Sequence, residues 1–176
     1  DDDSFVPQYI TLNKRSLELA VNMSTTLTAT ISPVNPNHRD TIIYYSSDDS
    51  VVSVDVNKGI ITAVSPGTAT ITAIGVTVSG SIRTTCSVTV FPFTLSENDT
   101  GYTIDRCADF FKEISVPSEL DGINITSIAN KAFTECVNLT SITIPDTVDS
   151  IGETFADCVN LAEINIDADN KNYSSE

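Results

Sequence analysis

Tryptophan is absent from the 176 residues, and histidine and methionine occur once each. Without tryptophan, the aromatic platforms that hold sugars in glycan-binding clefts have lost their best material, and carbohydrate binding or hydrolysis becomes a weak reading. The single histidine, His38, sits in Pro36-Asn37-His38-Arg39 with no second ligand at metal spacing, so it reads as a solvated loop residue. No G-x-S-x-G nucleophile motif and no phosphate-binding glycine loop occurs. No apolar run approaches the roughly 18 residues of a membrane span, and there is no signal peptide, which a mature secreted chain would have lost. These absences predict no enzyme activity, no cofactor and no metal.

Positive charge is scarce as well. Nine Lys and Arg face 24 Asp and Glu, a net −15, unevenly placed. Residues 1–91 hold 8 acids and 5 bases (−3), residues 92–176 hold 16 and 4 (−12). Phosphate backbones need clustered bases, so nucleic acid is excluded as a partner. With 40% hydrophobic and 19% charged residues, a packed core is expected, and the length suits two small domains.

What is present falls into two halves. Asp1-Asp2-Asp3-Ser4 opens an acidic tether over residues 1–7. Strands come next over 9–12, around Leu17 and Leu19, and over 26–31, where Thr26 to Ile31 alternates without a break. More are predicted over 42–46, 51–54, 60–64, 68–74 and 83–91. Asn57-Lys58-Gly59 is a tight turn in which Gly59 takes a positive φ, and Ser65-Pro66-Gly67 is the next. About seven short strands with regular turns predict an immunoglobulin-like β-sandwich over 8–91.

Pro92 cannot donate to a ladder and marks a boundary. Phe93-Thr94-Leu95 and Tyr102-Thr103-Ile104 then predict a hairpin over 92–109 that covers the open edge of the C-terminal segment. In that segment, residues 110–176, one pattern is said twice. Phe133, Cys136, Leu139, Ile142 and Ile144 recur 22 positions later as Phe155, Cys158, Leu161, Ile164 and Ile166, and Phe111, Ile114 and Val116 form a degenerate earlier copy. That period with L-x-x-I-x-I predicts a short α/β leucine-rich-repeat solenoid with parallel strands, those residues being its core. Ile128, Ala132, Phe133 and Cys136 lie at helical spacing and predict a two-turn helix. Residues 120–124 are an inserted loop, since Ile114 to Ile128 spans 14 positions and Ile142 to Ile151 spans 9. Three copies are near the minimum that stacks stably, so further repeats, or a second chain at the edge of Ile164 to Ile166, are expected to cover the last one.

Of the four cysteines, Cys136 and Cys158 hold equivalent places and read as buried, reduced thiols. Cys86 and Cys107 show no register with the repeat. Asp167, Asp169, Asn170 and Asn172 supply oxygens without the glycine and distal glutamate of a calcium loop, and read as a polar turn. Five N-x-[ST] sequons start at Asn22, Asn98, Asn124, Asn138 and Asn172, and a Thr-rich composition alone generates them. The outward residues of the repeat strands, Glu113, Ser115, Ser141, Thr143, Glu163 and Asn165, form the candidate interaction face.

The motifs ITLNKRSLELAVNMSTTLTATISP, YSSDDSVVSVD and NKGIITAVSPGTATITA resemble the bacterial Ig-like domain of group 2 over nearly all of residues 8–91. Tyr45 stands where that family usually places a core tryptophan, so it is expected to be buried with its hydroxyl bonded. VPSELDGINITSIANKAFTECVNLTSITIP and VDSIGETFADCVNL resemble the leucine-rich repeats of the surface antigen BspA over about residues 110–173. In the second copy Ile151 reaches Phe155 in four steps where Ile128 reaches Phe133 in five, which weakens any regular helix there. Together these resemblances imply a non-enzymatic, extracellular protein of a bacterial surface, an adhesin or protein-binding module with the sandwich as stalk. Its partner would be a host matrix protein or another cell-surface protein. The alternatives are a structural spacer and a glycan-binding lipoprotein. The Asp1-Asp2-Asp3 run is similar to the acidic stretch that comes after the lipidated cysteine of some outer-membrane lipoproteins, which would put a lipid anchor upstream of Asp1.

Overall fold

The computed structural model describes residues 8–34 and 39–174; the tether over 1–7 and His38 lie outside them. Backbone packing divides the chain into two compact units, one running up to Leu17 and over Asn22–Val90, the other taking Glu18–Val21 and the chain from Phe91 onward. Regular structure in both is entirely β among the described residues.

In the first unit β1 (Tyr9–Leu12) pairs antiparallel with β4 (Ala29–Ser32). One sheet runs β2 (Ser16–Ala20), β9 (Gly80–Phe91), β8 (Gly67–Thr77), β5 (Thr41–Ser46), and another runs β3 (Ser24–Thr26), β7 (Ile60–Ala63), β6 (Val52–Val54). Along β8 the alternation decides the faces. Ala69, Ile71 and Ala73 are buried while Thr68 and Thr70 are exposed. Burying a side chain such as Ile71 completely stabilises the fold by about 2 kcal/mol. At the turn between β6 and β7, Gly59 has φ 66°, and a Cβ there would meet the Leu27 carbonyl oxygen and lie 2.8 Å from the Tyr44 ring.

Two expectations fail here. The alternating run from Thr26 to Ile31 is not one strand, because the chain changes sheets in its middle: β3 pairs with β7, β4 with β1, and between them fully buried Leu27 gives its N–H to the Gly59 carbonyl at 2.9 Å. Tyr45 is 49% exposed, whereas its neighbour Tyr44 is 5% exposed and its hydroxyl accepts the Ala29 N–H at 2.9 Å. Successive strand residues face opposite ways, so an error of one position exchanges core for solvent.

In the second unit β10 (Phe93–Asn98) and β11 (Gly101–Cys107) form an antiparallel hairpin. β11 also starts a parallel ladder with β14 (Ile123–Ile128) and β16 (Ser150–Ile151). A second parallel ladder joins β12 (Glu113–Ser115), β15 (Ser141–Ile144) and β17 (Glu163–Ile166). Between the ladders lie Ile104, Ile125, Ile128, Phe133, Leu139, Ile142 and Val148, all at most 2% exposed. The inserted residues are not a loop but a small hairpin: β13 (Glu119–Leu120) turns back onto β14 through Asp121 and Gly122, both at positive φ, as a two-residue turn requires.

The helix of the α/β expectation is not formed in either copy. A helix needs φ near −63°, and Lys131 and Glu135 stand at 66° and 63°. Their N–H groups reach sideways to the next copy, Lys131 to the Glu153 carbonyl at 2.8 Å and Glu135 to that of Ala156 at 2.9 Å. Thr134, Cys136 and Leu139 bond only three residues back. Tight turns thus occupy the return segment, and the helical spacing of Ile128, Ala132, Phe133 and Cys136 marks inward corners of those turns, all four buried.

Core membership also fades along the stack. Ile114, Val116, Phe133, Cys136, Leu139, Ile142 and Ile144 are buried; Phe111, Phe155, Cys158, Leu161 and Ile166 are half-buried; Ile164 is 40% exposed. β17 is the outer strand of its sheet, so its inward side chains have neighbours on one side where those of β15 have them on two.

Candidate interaction face

The parallel sheet brings the six outward residues together in two straight rows. Glu113, Ser141 and Glu163 are register partners across β12, β15 and β17, and so are Ser115, Thr143 and Asn165. Ser141 is half-buried and the other five are exposed. The intervening row, Ile114, Ile142 and Ile164, points to the opposite side, as strand geometry demands. Strand spacing puts Glu113 and Glu163 about 9.6 Å apart with a hydroxyl between them, near one screening length at physiological salt. The start of the sheet is tied down where Thr140 and Ser141 donate backbone N–H to the Lys112 carbonyl at 2.6 and 3.2 Å, and the Ala162 N–H reaches Thr140 O at 2.9 Å. The result is a polar, acid-edged face without an aromatic ring.

Sequence reasoning missed a second polar cluster on the other ladder. The Asn98 amide donates to Thr103 Oγ1 at 2.8 Å and lies within 3.2 Å of the Ser127 and Thr126 hydroxyls, while its oxygen accepts the Thr100 and Gly101 N–H groups at 2.8 and 2.9 Å. Two of the sequon asparagines therefore spend their amides internally, Asn98 here and Asn138 on Asp109. Only the pairing of β11 with β14 brings Thr103 beside Ser127, so no local pattern marks this cluster.

The thiols correct a further expectation. All four cysteines are free, and Cys107 does fall in register with the repeat: the Cys136 thiol points at the Cys107 carbonyl at 4.0 Å, and the Cys158 thiol donates to the Phe133 carbonyl at 2.9 Å. Burial holds the Cys107 thiol far above the usual thiol range, with Cys136 beside it adding to the effect. Burial likewise pushes Cys136 up to about 11 and raises Cys158 and Cys86. A thiol that stays protonated is a poor nucleophile, so these are core side chains.

At the last turn Asn170 is 9% exposed. Its amide donates to the Pro145 and Val148 carbonyls at 3.0 and 2.9 Å, and its oxygen accepts the Asn172 and Tyr173 N–H groups at 2.9 and 3.0 Å. Asp167, Asp169, Asn170 and Asn172 thus form a turn closed on itself. No group of three or more His, Cys, Asp or Glu is placed to hold a metal ion among the described residues.

Two family models match the chain. The bacterial Ig-like domain (group 2) covers residues 7–88, and the BspA type leucine rich repeat region (6 copies) covers residues 105–176. A protein of Clostridium acetobutylicum described as uncharacterised is 38% identical over 91 residues, which is 51% of this chain and 9% of that protein; the chain thus spans a small part of its relative. The crystal structure of a T. pallidum leucine rich repeat protein is similar at 28% identity and a TM-score of 0.39 over 42% of this chain and 36% of that one, too loose a likeness to argue from. Both matched modules are typical of bacterial surface proteins. The chain therefore carries a bacterial Ig-like domain of group 2 followed by a BspA-type leucine-rich-repeat region.

Proposed function

We propose that this chain is a non-enzymatic binding module of a bacterial surface protein, with the Ig-like unit as stalk and the face of β12, β15 and β17 as the adhesive surface. Its partner is a host matrix protein or another cell-surface protein, and its location is extracellular, at the bacterial surface. The repeat half is a short parallel-strand solenoid. Two ladders to which successive copies each add one strand support that architecture. The observation that carries the binding role is the pair of in-register polar rows, one of them ending in Glu113 and Glu163, on the type of sheet that repeat proteins use for recognition.

Immobilised fibrinogen, fibronectin and a glycan panel test it over a salt series. Saturable binding to a protein, weakened by salt and lowered about five-fold in Glu113→Lys/Glu163→Lys, is the expected result. No saturable binding anywhere, or binding that ignores the double variant, removes the role of this face. A spacer without a ligand is the second reading, favoured by the absence of any aromatic side chain among the six residues, since hot spots are rich in Trp, Tyr and Arg.

A further inference from the structure

Three outward apolar side chains belong neither to the core nor to the sheet face. Phe110 is 58% exposed, Val137 43% and Val159 76%. All three occupy one local conformation, in which the N–H donates to the carbonyl two residues back: Phe110 to Ala108 at 2.8 Å, Val137 to Glu135 at 2.8 Å, Val159 to Asp157 at 3.0 Å. The tight turns that present them are tied to one another. Asn138 donates its N–H and its amide to the Asp109 carboxylate at 2.8 and 2.9 Å, and the Asn160 amide reaches the Val137 carbonyl at 2.7 Å. The 22-residue period and the bond from Asn160 to the Val137 carbonyl put Val137 and Val159 side by side in a short column on the turn edge, and Phe110 stands on the adjoining turn, one place off the register in which Glu113 matches Ser141.

Packing does not require these residues. In C-V-N-L the cysteine and leucine face inward, and Cys136 and Leu139 are buried, but the valine between them faces water in both copies. A single exposed valine needs no explanation; a valine exposed at the same place in successive copies, beside an exposed phenylalanine, does. Exposed acids lie in the turns that present these side chains, Asp109, Glu135 and Asp157, and outnumber the bases of the same stretch, Arg106 and Lys112.

We propose that this column is a docking surface for a protein segment that carries an apolar strip bordered by Lys or Arg. Charge selects that occupant. The half of the chain that bears the column has a net charge of −12 (4 bases minus 16 acids), which repels anionic lipid headgroups and nucleic acid. A second copy would set the same acids against each other. The inference shares with the proposed function the premise that the chain binds protein, but it uses none of the sheet-face residues.

The test uses the full chain and three synthetic fluorescent probes, an amphipathic Leu/Lys peptide, its Leu/Glu counterpart and an oligolysine of equal charge. Binding is read by anisotropy. The Leu/Lys peptide binds saturably, the oligolysine about ten-fold more weakly, and the Leu/Glu peptide not at all. Val137→Ser/Val159→Ser lowers Leu/Lys affinity about ten-fold with unchanged thermal unfolding, since both positions are exposed. Phe110→Ser is made separately, because Phe110 also packs edge-on against Phe111 at 4.7 Å. Equal affinity of the native chain and the double valine variant, an oligolysine as tight as the Leu/Lys peptide, or no Leu/Lys binding overturns the proposal. Loss of matrix-protein binding in Glu113→Lys/Glu163→Lys alone, with the valine variant silent on every probe, leaves the sheet face standing and the column rejected.

Discussion

Two adjacent tyrosines do different jobs, and a hydroxyl deletion separates them. Tyr44→Phe leaves the buried Ala29 N–H without an acceptor and costs about 1–3 kcal/mol, whereas Tyr45→Phe, in solvent, stays within about 0.5 kcal/mol. Urea unfolding of both variants checks this; equal effects would mean that the ring beneath Gly59 is not Tyr44. The position was only half legible beforehand. A run of two tyrosines shows that one is inward, but which one depends on the register of β5 against β8, where Tyr44 faces Ala73 and Tyr45 faces Thr72. Family likeness pointed at the wrong member because it aligns columns, and columns do not carry pleat.

Among the elements, the β6–β7 hairpin has a built-in pH dependence. Backbone N–H bonds from Asn57 and Lys58, at 3.0 and 2.9 Å, hold the Asp55 carboxyl below its usual range. A carboxyl depressed in the fold contributes stability above its unfolded pKa and loses it as pH falls through the folded value. The native chain should therefore lose stability between roughly pH 5 and pH 2, and Asp55→Asn should flatten that slope by lowering the neutral-pH melting point slightly while leaving the acid-side one unchanged. Thermal melts across that range decide the matter; parallel curves for the two proteins would remove Asp55 from the account. The turn itself was readable from Asn57-Lys58-Gly59. The return segment of the repeat was not, because a spacing of three and four residues fits a helix and a chain of tight turns alike. Lys131 and Glu135 carry no mark of their positive φ, and what selects it is the sideways hydrogen bond to the next copy.

Over the whole molecule, equivalent residues of the repeat differ in worth according to their place in the stack. Ile142 and Ile164 hold the same position in the pattern, yet one is fully buried and the other 40% exposed. Ile142→Ala should cost about 3–5 kcal/mol and Ile164→Ala about 1 kcal/mol or less, measured by denaturant unfolding tracked at a probe in the repeat half. Equal costs would mean that β17 is covered on both sides. The same gradient runs through the three stacked thiols, from Cys107 and Cys136, both buried, to half-buried Cys158.

The sequence by itself determined the order of the two halves, the β character of the first, the 22-residue period of the second and the six outward positions, since all of these rest on local periodicity and turn chemistry. It also settled the charge and its uneven division between the halves. Only the tertiary structure decided which tyrosine is inward, that the run from Thr26 to Ile31 divides between two sheets, that Cys107 joins the thiol stack, and that the return segments are turns. Each of these depends on a hydrogen bond or contact between residues far apart in the chain: Tyr44 with Ala29, Leu27 with Gly59, Cys136 with Cys107, Glu135 with Ala156. Periodicity along the chain cannot encode them, because a side chain's inward direction is fixed by its own strand while its partner is fixed by the neighbouring one.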